Sequence, residues 1–314
     1  MNKSNSTIHS QWIGLQLHRY VVIFAIPIAF IGLILNITVT YLLRTDKYFK
    51  KISYRLILVS VISDTVSSIV TVIICIYIAT DSVNYYQGTI ICRVTLFIVF
   101  SSFGISIMNL SLISVNRYFV IAKPLSVFYR KHKIKLLILS ELLISITSIA
   151  TSSPFLVYTA VHPHSTTLCD YPDITQAVAI YEIMFAVIMY IIPVSIMIIM
   201  YSKLIIIHKN YIQPGYRTSN QIELERVRKK RFTKTLMSIT FSTALLTWPQ
   251  FATAIGTAIT RKSVYEISLE STILYVFIYF GTALTSSISV LNPLILIKFD
   301  SQIRQDFFKL LKKY

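Results

Sequence analysis

The sequence predicts an all-α membrane protein: a seven-transmembrane helix bundle plus a short cytoplasmic amphipathic helix. Three observations carry this. The 314 residues are 54% hydrophobic and only 14% charged, with mean hydropathy +0.66. Soluble domains hold about 25% charged residues, so a soluble enzyme is disfavoured, and the apolar content excludes a disordered chain. The apolar residues gather in seven long runs, and the 30 Lys and Arg that give the chain +17 lie mostly between them.

A hydrocarbon core about 30 Å thick takes about 20 residues of helix. The runs fall near 20–44, 54–79, 89–121, 134–158, 176–207, 231–258 and 271–297. Ile188 to Met200 is almost wholly apolar, whereas Ser140 to Ser153 is speckled with hydroxyls. Membrane helices tolerate Ser and Thr, which bond their own backbone or a neighbouring helix. Abundant Ile and Val would suggest strands in water, but in lipid the backbone must satisfy itself. A barrel would show alternating stretches of about 10 residues, and these runs are continuous and longer. The chain thus divides into a polar extracellular arm, 1–19, a seven-span domain, 20–299, and a cytoplasmic amphipathic helix and tail, 300–314. The polar start gives no cleavable signal peptide, so the first span is the expected targeting signal.

Orientation follows from the basic residues. An outside N-terminus puts 25 of the 30 Lys and Arg on the inner side and leaves Lys3, Arg19, Arg93, Arg261 and Lys262 outside. The charge then faces anionic lipid and an internal partner rather than nucleic acid. Asn2 and Asn5 head glycosylation sequons on the outer arm, while Asn36 and Asn109 lie inside spans.

Several residues are out of place in lipid. Asp64 is in mid-span, where a charge costs about 2.5–3.5 kcal/mol on insertion scales, so it faces the bundle interior, water or an ion, or is protonated in a structural hydrogen bond. Arg117 closes the third span, Glu141 in the fourth can snorkel inward, and Asn36 and Asn292 can bond across helices. Pro193, Pro249 and Pro293 each remove a backbone donor from successive spans. They read as bends in a bundle built to change shape, or as fixed kinks. Cys92 and Cys169 both fall on the oxidising side, where a bridge is expected. The loop it closes is worth roughly 4 to 5 kcal/mol for a free chain. Cys75 reads as a small buried hydrophobe. Beyond the last span, Ile303, Phe307, Leu310 and Leu311 form one apolar helix face with lysines opposite, and Asp300 or Ser301 can cap its start.

These residues form an ordered set: Asn36, Asp64, Cys92 with Cys169, Arg117-Tyr118, Lys123-Pro124-Leu125, Pro193 with Tyr201, Trp248-Pro249 and Asn292-Pro293. With that set the chain resembles a rhodopsin-like (class A) G-protein-coupled receptor over nearly its whole length. It departs from the pattern in four places. Asn116 replaces the acid before the arginine. Leu296 replaces the tyrosine after the helix 7 proline. Tryptophan abuts the helix 6 proline, which puts Thr247 at the usual switch position. The fourth span has no tryptophan.

The resemblance implies a plasma-membrane receptor that senses an extracellular ligand and activates a heterotrimeric G protein, with arrestin and a receptor kinase as further partners. Arg117, Tyr118 and Tyr201 would help form the coupling pocket, with Leu125 as a hydrophobic plug and Trp248, Pro249, Asn292 and Pro293 in the moving helices. Asp64 with Ser106, Ser289 and Asn292 resembles the family's sodium pocket, and no other cofactor or metal is implied. Asn116 carries no charge to pair with Arg117, and Lys229 and Lys230 would repel it, so a weakly latched closed state with raised basal signalling is expected.

No lysine lies between Ser271 and Ile297 to hold retinal, and the family's amine-binding aspartate position is Val99. An amine is therefore disfavoured, and a peptide or small non-amine ligand remains. By analogy its pocket draws on Val99, Phe103, Phe185, Gln250, Phe251 and Thr282, or these residues simply pack the helices. Glu182 would receive a basic ligand group or stand as a solvated rim charge, the reading we favour. His162 and His164 read as solvated rather than metal ligands. The alternative, a seven-helix channel or transporter, should line a polar path or show related halves, and neither is visible.

Overall fold

The computed structural model describes residues 3–80, 84–122, 127–162, 165–210 and 220–313. Its main helices are α1 (Lys3–Thr45), α2 (Ile52–Thr80), α3 (Tyr85–Ala122) and α4 (Val127–Ser152). A short helix α5 (Phe155–Tyr158) leads into an antiparallel hairpin of β1 (Ala160–His162) and β2 (Ser165–Asp170). The fifth crossing is α6 (Gln176–Ala186), a π-helical turn at Val187–Ile191, and α7 (Ile192–Asn210). Then come α8 (Asn220–Thr260), the short α9 (Val264–Glu270), α10 (Thr272–Phe299) and α11 (Ser301–Lys313).

The bundle closes as a ring. α1 packs on α2 and α10, α2 on α3, and α10 on α8, while α6 joins α8. α3 is central and touches α2, α4, α7 and α8. Among the described residues, six helices are long and apolar enough to cross a bilayer. The remaining crossing, sixth in chain order, is α8, whose buried Thr233, Thr235, Thr240, Thr243 and Thr247 and basic start dilute its apolar character. The hydroxyls behave as membrane helices require: Thr38, Thr65, Thr71, Ser140, Ser145 and Thr151 each donate to the carbonyl four residues earlier. Exposed Ile138, Leu142, Ile198 and Phe241 mark the lipid-facing side.

Helix ends differ from the sequence reading. α1 starts at Lys3, so the polar arm 1–19 is helical from that point. A helix of 43 residues runs about 65 Å, roughly twice the hydrocarbon thickness. Ser271 caps α10 through the Leu274 N–H at 3.3 Å. Asp300 caps α11 through Gln302 and Ile303 at 3.0 and 3.2 Å. Ile303 is wholly buried against the bundle, with Phe307 and Leu310 packed beside it. Leu311 and Phe308 point outward instead, so the amphipathic helix docks on the protein with one edge and keeps another for lipid.

Candidate functional site

Three polar or aromatic layers lie along the bundle. The middle layer centres on Asp64 of α2. Asn292 of α10 donates its side-chain amide to Asp64 Oδ2 at 3.1 Å, and Asn292 Oδ1 accepts the Thr243 hydroxyl of α8 at 3.4 Å. Ser106 of α3 faces the same carboxylate. Ser289 does not: its hydroxyl donates to Ser286 O at 2.8 Å and packs against Gly32 of α1, where an added Cβ would lie 2.9 Å from it. The Ser289 backbone is used as well, since Asn36 donates to its carbonyl at 2.7 Å. Asp64 and Ser106 therefore supply the hard oxygens that suit a small cation, with Asn292 as a neighbour. Among the described residues no cluster of three or more His, Cys, Asp and Glu could hold a metal.

The second layer holds Asn116, Arg117, Tyr118 and Tyr201. Asn116 is 1% exposed and Tyr201 is buried against the core that includes Ile113, Leu204 and Leu236. Lys203 of α7 lies over the Tyr118 ring at 5.7 Å, and Lys133 of α4 is within electrostatic reach of Arg117. Nearby, Tyr54 of α2 donates to Asp300 Oδ2 at 2.8 Å and ties α2 to the start of α11. Leu125 and Asn2 lie outside the described residues, as does His164, and nothing is described of the Asn5 side chain.

The third layer is an aromatic bed at the disulfide end. Phe251 of α8 stacks on Tyr190 at 4.8 Å and on Phe185 at 5.8 Å, and meets Phe103 of α3 at 5.9 Å. Phe185 also meets Phe100 and Phe155, each at 5.2 Å. Thr282 donates to Gln250 Oε1 at 2.8 Å, and Val99 is half-buried on α3. Of the predicted pocket residues, Phe103, Phe185 and Phe251 meet one another, Thr282 is exposed, and Phe185 and Phe251 fill the space between them and are almost wholly buried. Phe100, Phe155 and Tyr190 join them without having been singled out in the sequence, because an aromatic residue in an apolar run carries no mark of facing inward.

One sequence expectation changes. Glu182 is not a solvated rim charge. It is 4% exposed, and its carboxylate accepts the Thr257 hydroxyl at 3.0 Å. Trp248 does not point into the bundle. It is 47% exposed on the outer surface, while Thr247 is wholly buried and donates to Thr243 O at 2.8 Å. One residue of helix rotates a side chain by about 100°, and the tryptophan abuts Pro249 with no residue between.

Cys92 and Cys169 form the expected disulfide, with Cα atoms 5.5 Å apart. The next residue, Asp170, is 6% exposed. Burial pushes its carboxyl up to about 6, against the pull of backbone N–H groups from Tyr265, Tyr171 and Val264. Free Cys75 is buried.

The family model for the 7 transmembrane receptor (rhodopsin family) matches residues 35–296. No curated protein matches the chain.

Proposed function

From the premise that this chain belongs to the rhodopsin family of 7 transmembrane receptors, we propose that it couples an extracellular peptide or small non-amine ligand to a heterotrimeric G protein. It is a multi-pass membrane protein of the cell surface, and the charge distribution supports an outside N-terminus and an inside C-terminus. Asn2 and Asn5 are then available for glycosylation, and arrestin and a receptor kinase are further partners.

The observation that carries the reading is the polar bridge at mid-bundle. Thr243 on α8, Asn292 on α10 and Asp64 on α2 form one hydrogen-bonded series. α8 bears Pro249 and α10 bears Pro293, so the bridge joins two helices whose backbone ladders are already interrupted. Moving α8 away from α10 breaks the Thr243 contact and can open the end that holds Arg117 and Tyr201. A ligand drives this only if it binds the opened form better. At the outer end it would part the Phe185–Phe251 stack. Asp64 and Ser106 would hold a sodium ion, whose positive charge would offset the buried carboxylate and favour the closed arrangement.

The test is nucleotide exchange with purified receptor in lipid discs, a panel of G-protein classes, and peptide and lipid libraries as stimuli. Stimulated GDP release that is lost in Arg117→Ala supports the proposal. Ion currents without exchange would point to the channel alternative.

A further inference from the structure

The hairpin β1–β2 and the short helix α9 grip each other through contacts that G-protein coupling does not require. β2 is held to α3 by the Cys92–Cys169 bridge. On the following residue, Asp170 Oδ1 accepts the Tyr171 N–H at 2.8 Å and Oδ2 accepts the Tyr265 N–H at 2.9 Å. From β1, the His162 ring stacks on the Tyr265 ring at 3.8 Å with 20° between planes. One residue of α9 is therefore held by its backbone from β2 and by its ring from β1.

α9 is a preformed unit. Ser263 and Glu266 make a reciprocal capping box, and the exposed Lys262–Glu270 pair at 2.6 Å spans its length. Arg261, with φ 53°, turns the chain out of α8, and Ser271 alone separates α9 from α10. The hairpin cannot leave α3 while its disulfide is intact, so any separation must carry α9 and the adjoining ends of α8 and α10. Phe155 is shared between these layers: it stacks near Tyr171 at 6.1 Å, next to Asp170, and contacts Phe185 of the aromatic bed at 5.2 Å.

We propose that His162, Asp170 and Tyr265 form a strap across the disulfide end of the bundle, and that its release is the step that gives a ligand access to Val99 and the aromatic bed. This rests on the reading of that end as the ligand's way in. A carboxylate accepting a backbone N–H is a charge-assisted bond of the stronger sort, and a face-to-face ring pair adds to it. Both are reversible, unlike the covalent link beside them, so the strap has one fixed and one releasable side.

The experiment measures access directly and needs no ligand. In a Cys75→Ala background, Val99→Cys is labelled on intact cells with a membrane-impermeant methanethiosulfonate. The bridged Cys92 and Cys169 do not react. Asp170→Ala is expected to speed labelling about tenfold, the scale of one charge-assisted bond, and His162→Ala, which loses the ring stack, about threefold. Glu270→Gln, which breaks only the exposed pair on α9, is expected to leave the rate unchanged. If Asp170→Ala fails to reach the surface, His162→Ala and Tyr265→Leu, which keeps the backbone N–H, carry the comparison. Amide exchange at Tyr265 in the purified receptor is the companion measurement. Faster exchange in Asp170→Ala with unchanged labelling would overturn the proposal, because the contacts would then hold α9 without controlling access. Equal rates in all variants would overturn it as well. Faster labelling in a receptor that never stimulates a G protein would leave the strap standing and reject the coupling reading.

Discussion

Asn292 reaches across from α10 and donates its amide to Asp64 Oδ2 at 3.1 Å, while its own carbonyl oxygen accepts Thr243 from α8 at 3.4 Å. Three crossings thus meet at one side chain. A cation at Asp64 would reinforce this junction, so basal nucleotide exchange should fall when sodium replaces N-methylglucamine in the buffer. Asp64→Asn should abolish that difference, because the neutral amide lacks the charge that would hold such an ion. A sodium effect that persists in Asp64→Asn would place the ion elsewhere.

The position before Arg117 offers a second test. Asn116 is 1% exposed and uncharged, and Lys133 adds positive potential around Arg117. An acid there would pair with Arg117 in the closed form. Asn116→Asp should therefore lower ligand-free exchange about fivefold, equivalent to about 1 kcal/mol. Unchanged or higher basal exchange would reject the weak-latch idea.

Trp248 and Thr247 separate a lipid-facing residue from an interior one. Trp248→Leu should change neither thermal stability nor exchange appreciably, as for most surface substitutions. Thr247 is wholly buried and Tyr190 donates to Ala244 O nearby at 2.8 Å. Thr247→Trp should overpack that space and cost about 1–3 kcal/mol or more. A large loss of coupling in Trp248→Leu, with normal surface level, would contradict the outward placement.

Asp170 carries a pH signature. Burial raises its carboxyl from the ordinary 3.8 to about 6, and Glu266 of α9 adds to the rise. Glu182 on α6 and Tyr171 beside it also feel its charge. The folded state thus binds more protons than the unfolded state between those two values. Stability should rise as pH falls through 6 and should have gained its full amount, up to about 3 kcal/mol, below 3.8. The thermal midpoint of the purified receptor should climb between pH 7 and 5, and the climb should be smaller in Asp170→Asn. Identical pH profiles for both proteins would exclude Asp170 as its source.

The crossings were legible because lipid demands length and apolarity, and seven runs supplied both. α8 shows the limit of that signal: its threonines lower its hydropathy, yet they are the side chains that face the core. The Cys92–Cys169 bridge was legible from compartment alone. The burial of Glu182 was not, because nothing in the sequence ties it to Thr257, 75 residues away. The hairpin, α9 and the π-helical turn before Pro193 were invisible too. Short elements carry too few residues for a periodic signal, and an inserted helical residue leaves composition unchanged.

Opening of the Arg117 end is best measured as a distance. Spin labels at the matching ends of α3 and α8, read by pulsed electron resonance in lipid discs, should report a short separation for the receptor alone. With nucleotide-free G protein a second population, longer by several ångströms, should appear. One unchanged distance under both conditions, with the G protein demonstrably bound, would contradict a receptor that works by moving α8.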